Sequence, residues 1–260
     1  MVPMLNVLME HGAKINSVDK DGNTPLSVAA SNGDLEVARI LVEHGTDISA
    51  VNKLGYTLLD LALCNAAVEI LRLVVENGAN ICVVDENGCT PLHRAASLGN
   101  YQALEILIGS GSSIHDVDKH GNTPLHYATM YGSVEVVQLL IKHGANAYAI
   151  NEDGDTLLHL ALEGNHRNLA GFFIGRGADV CAVNGHGVVP LHLTMKQNSL
   201  TIVVELIKRG ADVSCFNAEE LEDLRRWRKT LLRPQPYGTS SHDPQVSPLR
   251  VWASVTDPKE

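Results

Sequence analysis

"GNTPLHYATMYGSVEVVQLLIKHGANAYAI", residues 121–150, opens on a glycine, runs through two apolar stretches and closes beyond a second glycine. Nearly the same phrase stands at residues 22–51, "GNTPLSVAASNGDLEVARILVEHGTDISAV". One glycine series falls at Gly22, Gly55, Gly88, Gly121, Gly154 and Gly187. A second falls at Gly12, Gly45, Gly78, Gly111, Gly144, Gly177 and Gly210, and both keep a 33-residue step without insertion. A period of this size is the signature of a stacked array, and two independent series in register are not a chance pattern.

Each copy reads mechanically. The first glycine series marks tight turns, as in "DKDG", "DENG", "DKHG" and "NEDG", where positive φ angles suit a residue without a Cβ. Thr24, Thr57, Thr90, Thr123 and Thr156 follow, most with Pro next. Thr can cap free amides and Pro fits a first turn, so a short helix starts there. Small pairs such as Ala29 and Ala30, or Ala95 and Ala96, let neighbouring helices approach, and Gly33, Gly99 or Gly132 stops the helix. A second helix has apolar residues at helical spacing, Val136, Val137, Leu139, Leu140 and Ile141 in one copy. No such unit hides its apolar faces alone, so stacking in a line is obligatory.

"DKDGNTPLSVAASNGDLEVARILVEHG", "DENGCTPLHRAASLGNYQALEILIGSG" and "DKHGNTPLHYATMYGSVEVVQLLIKHGA" resemble ankyrin repeats. The resemblance implies an all-α solenoid of helix-turn-helix units with turn or hairpin fingers. It covers six full repeats, 19–51, 52–84, 85–117, 118–150, 151–183 and 184–216, after a partial repeat at 1–18. Several copies depart from the pattern. Leu58 and Leu157 replace the helix-opening Pro, and Ala66, Asn165 and Asn198 fill the slot of the helix-ending glycine. In the last copy Val189 replaces Thr, and Thr194 and Met195 replace the small pair; it is expected to be the loosest.

The chain starts inside a repeat, with Leu5, Val7 and Leu8 before "HGA". Such a start is expected of an isoform or fragment of a longer protein with an exposed end prone to self-association; a makeshift cap of Met1, Met4 and Met9 is the alternative reading. Beyond Phe216 the code fails. Asn217, Glu219 and Glu220 read as a helix start, and Leu221, Leu224, Trp227 and Leu231 as one face of a capping helix over 217–233. Residues 234–260 hold five prolines and no periodicity, and read as a disordered tail.

The chain has 260 residues, 45% of them apolar but only 4% aromatic, which suits thin helical layers of Leu, Ile, Val and Ala. Its net charge of -10 resides in residues 1–216, with 13 basic against 23 acidic residues. Phosphate backbones would be repelled, so nucleic acid is disfavoured as a partner. Five cysteines without a CxxC pair suggest neither a disulfide framework nor a zinc site. No signal peptide or 18-residue apolar run is present, so membrane insertion is not expected, and the cytoplasm or the nucleus is the expected compartment.

No residue earns a catalytic, cofactor or metal assignment. His93, His126, His159 and His192 recur every 33 residues, one per layer about 10 Å apart, too far to share a metal bound near 2 Å. In ankyrin repeats this histidine is a structural hydrogen-bonding residue. "DKDGN" lacks the ligand spacing of a calcium loop, and no phosphate loop, nucleophile elbow or HExxH occurs. "RRWRK" at 225–229 could serve nuclear import, but the preceding Glu219, Glu220, Glu222 and Asp223 favour a solvated helix.

The resemblance therefore implies a non-enzymatic protein-interaction scaffold or adaptor, with a structural, self-associating component or a truncated competitor as alternatives. It places partner contacts on the fingers, at Asp21, Asn23, Leu54, Tyr56, Asn87, Cys89, His120, Asn122, Asp153 and Asp155. On the first helices it places them at Ser97, Leu98, Met130 and Tyr131. Arg94 and Tyr127 lie nearby and support two readings: part of a binding hot spot, or lining of the groove between layers.

Overall fold

The computed structural model describes Val7, residues 11–196 and 199–213, Glu222 and Arg226. The capping helix expected over 217–233, the tail 234–260, most of the opening half repeat and Asn198 therefore lie outside the described residues. Glu222 and Arg226 are helical. The chain divides into two compact units, Met1–Ala147 and Tyr148–Glu260.

Among the described residues the first unit holds four helix pairs: α1 Pro25–Asn32 with α2 Leu35–Glu43, α3 Leu58–Cys64 with α4 Val68–Glu76, α5 Pro91–Ser97 with α6 Tyr101–Gly109, and α7 Pro124–Met130 with α8 Val134–Lys142. The second holds α9 Leu157–Glu163 with α10 Arg167–Gly175 and α11 Pro190–Lys196 with α12 Leu200–Lys208. Among the described residues there is no strand. The fingers make only isolated bridges, Val51 to Thr57 and Ile150 to Thr156.

Each expected start is built as read. The hydroxyls of Thr24, Thr57, Thr90, Thr123 and Thr156 accept from the amide three residues on. Where Leu58 and Leu157 stand for Pro, the helix still begins, because Asp60 and His159 close a capping box with Thr57 and Thr156. Among the described residues, the two non-glycine residues in the glycine slot take its backbone shape: Ala66 has φ 53° and Asn165 φ 56°. Asn tolerates this region, whereas for Ala the Cβ is strained.

In the first unit α1, α3, α5 and α7 pack in one row and α2, α4, α6 and α8 in a second behind it. Leu26, Leu59, Leu92 and Leu125 run through the first row and Leu41, Val74, Leu107 and Leu140 through the second, all at most 2% exposed. In the second unit Leu158 and Leu191, and Phe173 and Leu206, repeat these two positions, again almost wholly buried. Thr194, in place of a small residue, is also buried and donates its hydroxyl to the Leu191 carbonyl at 2.7 Å. The result is an all-α repeat array whose core is a pair of apolar ladders rather than a centre.

Two outcomes test this layering by urea denaturation. Leu140→Ala is expected to lower stability by about 2–5 kcal/mol, because Leu140 is fully enclosed. Ala66→Gly is expected to raise it by about 1 kcal/mol, since Ala66 is exposed and only its backbone strain changes.

Candidate functional site

The first helices of the first unit present one side chain every three or four residues on their free side. From α5 and α7 these are Arg94, Ser97 and Leu98, and Tyr127, Met130 and Tyr131. Leu98 is 50% exposed and Tyr131 58%, with Met130 half-buried beside them. On the fingers Leu54 is 75% exposed and Tyr56 37%, and His120 is exposed. Large apolar groups thus meet water along this side, which isolated single exposures would not achieve.

Asn122 and Asp155, expected on the fingertips, are instead buried. Their turns close on themselves. The Asn122 amide and side chain donate to the Asp118 carboxylate at 2.8 and 3.2 Å. In the second unit the Asp155 amide donates to Asn151 Oδ1 at 2.8 Å, and its carboxylate accepts from Asn184 Nδ2 at 2.7 Å. Asp153 is exposed, as expected. It lies in the second unit, away from the set above in sequence.

Arg94 and Tyr127 are half-buried and anchored from below, which favours the groove-lining reading of both. Arg94 Nε lies 3.2 Å from Asp60 Oδ1 in the preceding helix pair, Nη1 donates to Cys64 Sγ at 3.6 Å, and the guanidinium sits 5.5 Å over the Tyr56 ring. Ser97 donates its hydroxyl to the Arg94 carbonyl at 2.8 Å. Burial pulls the Arg94 pKa down, but Asp60, Cys64 and Tyr56 outweigh it and leave the cation more firmly charged than usual.

Tyr127 donates its hydroxyl to Asp118 Oδ2 at 2.8 Å, and Cys89 Sγ lies 3.1 Å from the same oxygen. With the phenol hydrogen committed to the carboxylate, the thiol donates to the phenol oxygen. Burial, the thiol and the carboxylate push the Tyr127 pKa well up. Burial likewise raises Cys89, and the nearby Asp85 and Asp118 carboxylates add to it. Burial opposes ionisation of Asp118, but the amides of Asn122 and His120 and the Tyr127 hydroxyl hold its carboxyl below the usual range. The cluster keeps a thiol and a phenol protonated, the reverse of an activated nucleophile.

Asp60, Cys64 and Asp118 were missed in the sequence as members of this lattice. The signal for Asp60 was available: it stands where the next four copies carry His93, His126, His159 and His192, and Arg94 appears one copy later in a slot otherwise occupied by Val28, Leu61, Leu160 and Leu193, or by Tyr127. Two departures in adjacent copies mark a contact.

Two of the repeat histidines, His93 and His159, tie each cap to the next finger. His93 is wholly buried. Its Nδ1 accepts from the Thr90 amide at 3.1 Å and its Nε2 donates to the Asn122 carbonyl at 3.0 Å, joining one helix pair to the next finger. His159 repeats this in the second unit, with Nε2 3.1 Å from the Val188 carbonyl.

A further concavity of about 400 Å³ lies between the turns at 46–51 and 78–83. Its one carboxylate, Asp47, is occupied by the amide and hydroxyl of Ser49 at 2.9 and 2.6 Å. Among the described residues no helix is long and apolar enough to cross a membrane.

A family model for ankyrin repeats in three copies matches residues 1–85 and 77–151, one for ankyrin repeats in many copies matches 130–174, and one for the single ankyrin repeat matches 186–218. No curated protein matches the chain.

The His93 geometry generates a pH dependence. Burial holds this ring below its ordinary value, so the unfolded chain takes up a proton there before the folded one. A protonated Nδ1 also cannot accept from Thr90. The stability contributed by the neutral ring is full above the unfolded value of about 6.5 and is lost as pH falls from there through the folded value. Urea midpoints measured between pH 7.5 and 5 are expected to fall in this way, with a shallower fall in His93→Gln, which keeps an N3 residue able to cap.

Proposed function

The chain belongs to the ankyrin-repeat family, and on that premise we propose that it is a non-enzymatic scaffold or adaptor that holds a protein partner on the free side of its first unit. Ankyrin repeats are in general protein–protein interaction modules. The observation that carries the reading here is the neighbouring exposure of Leu98 and Tyr131, flanked by Met130. Apolar and aromatic side chains held on a rigid layer lose little entropy on binding and commonly dominate an interface.

Leu54, Tyr56 and His120 on the fingers extend the same surface, while Arg94, Ser97 and Tyr127 form its floor. The buried Asn122 and Asp155 shape their turns and contribute no contact. Asp153 is a candidate contact of the second unit. An array with ten more acidic than basic residues over 1–216 favours a partner other than nucleic acid. The unpaired Cys64, Cys82, Cys89 and Cys181 support a reducing compartment, the cytoplasm or the nucleus.

Proximity labelling in cells compares wild type with a Leu98→Ala, Met130→Ala, Tyr131→Ala variant whose helical content is first checked by circular dichroism. Loss of a discrete set of labelled proteins from the variant is the expected result. An unchanged set would remove this surface from consideration.

A further inference from the structure

The four helix pairs of the first unit meet at three junctions, and these are not built alike. At the first, the finger backbones are laced. The Lys53 amide donates to the Asp21 carbonyl at 3.0 Å, Asn52 Nδ2 to Asn23 Oδ1 at 3.0 Å, and Lys53 Nζ to the Lys20 carbonyl at 2.6 Å. The third is laced in the same manner: the Lys119 amide donates to the Asn87 carbonyl at 2.9 Å, and His93 and the Cys89–Tyr127 contact cross it as well. The approach is close enough that a Cβ on Gly22 would lie 3.0 Å from the Lys53 nitrogen, and one on Gly88 3.3 Å from that of Lys119.

The middle junction lacks these ties. Between the fingers 52–56 and 85–89, no backbone hydrogen bond is made among the described residues. A Cβ on Gly55 would meet nothing within 4 Å. A crevice of about 30 Å³, room for about one water, separates the two and is lined by Gly55, Asp60, Asp85 and Cys89. The histidine that would donate across the junction is here Asp60, whose carboxylate has no hydrogen to give. Beyond the apolar ladders, the polar tie that crosses among the described residues is one side chain, Arg94, bound to Asp60 and Cys64 and stacked over Tyr56, with Nη2 3.9 Å from Asp85 on its own side.

We propose that this middle junction is where the first unit opens, and that Arg94 is the latch holding it closed. The side chains of Arg94 and Asp60 remain 26% and 18% exposed, so water competes for the pair and salt screens it. A backbone lace is held by its turn, whereas Arg94 must give up rotamer freedom to bridge. In a linear array stability is a sum of units and junctions, so the weakest junction sets where the array parts. Residues Leu54 and Tyr56 lie on one side of it and Leu98 and Tyr131 on the other. On the binding surface proposed above, a guest touching both sides would favour the closed form. The joint itself depends on no guest, and its test uses the free chain.

Hydrogen exchange of the full chain, read by mass spectrometry, tests the assignment. Helices α1–α4 are expected to exchange as one block and α5–α8 as another. Arg94→Leu, which installs a residue type found at that slot in other copies, is expected to speed exchange in α1–α4 about tenfold while leaving α7 and α8 unchanged. Adding Asp60→His to Arg94→Leu, the combination present at His159 and Leu193, is expected to restore protection. About 1 M salt, where screening acts within about 3 Å, should act on wild type as Arg94→Leu does, and this reading stands if that variant is insoluble. A block boundary at another junction, equal acceleration of α7 and α8, failure of the double variant to recover, or indifference to salt would each overturn the proposal.

Discussion

A turn and two short helices have more apolar face than they can cover by folding on themselves. Every other feature follows from that deficit, because each helix pair must lend its open side to the next. Leu26, Leu59, Leu92 and Leu125 in one row and Leu41, Val74, Leu107 and Leu140 in the other are buried both within their own pair and against the pairs about 33 residues away in sequence. The helices are seven to nine residues long, too short to persist alone in water. Helix formation and stacking are therefore one event.

Stacking hides polar groups too, and these must be satisfied or they cancel what burial contributes. The buried His93 and His159 meet this need with neutral rings, one nitrogen accepting within the cap and the other donating to the next finger. The solution is directional and costs no ionic desolvation. Asp60 cannot donate, so its junction uses an ion pair with Arg94, a partly solvated tie that is sensitive to salt. Cys89, Tyr127 and Asp118 form a third arrangement in which the carboxylate takes the phenol hydrogen. The junctions of the first unit are thus crossed by different chemistries at different positions of the repeat.

A surface built this way has a consequence for recognition. The core is thin, so side chains on the free side rest directly on the ladder beneath them. Leu98 and Tyr131 project from rigid helix ends, while Arg94 and Tyr127 are held below by carboxylates. On the proposed binding surface a partner would meet apolar groups placed on helix ends, above side chains tied to Asp60 and Asp118.

How much of this was legible in the linear order of residues depends on the range of the forces involved. The period, the turns, the Thr caps, the helix bounds and the buried leucines follow from local chemistry repeated every 33 residues, and so did the left-handed backbone at Ala66 and Asn165. The exposure of Leu98 and Tyr131 was also readable, because the register of the repeat, taken with the ankyrin resemblance, sets the face. Asn122 and Asp155 were misread because their direction is decided by carboxylate and amide partners that register cannot reveal. Arg94 was ambiguous for the same reason until Asp60 stood beside it. Sequence by itself determined the repeating unit and the need to stack; only the tertiary structure decided which junctions are laced, which is latched and which side chains remain free, since those outcomes rest on distances between residues roughly thirty positions apart.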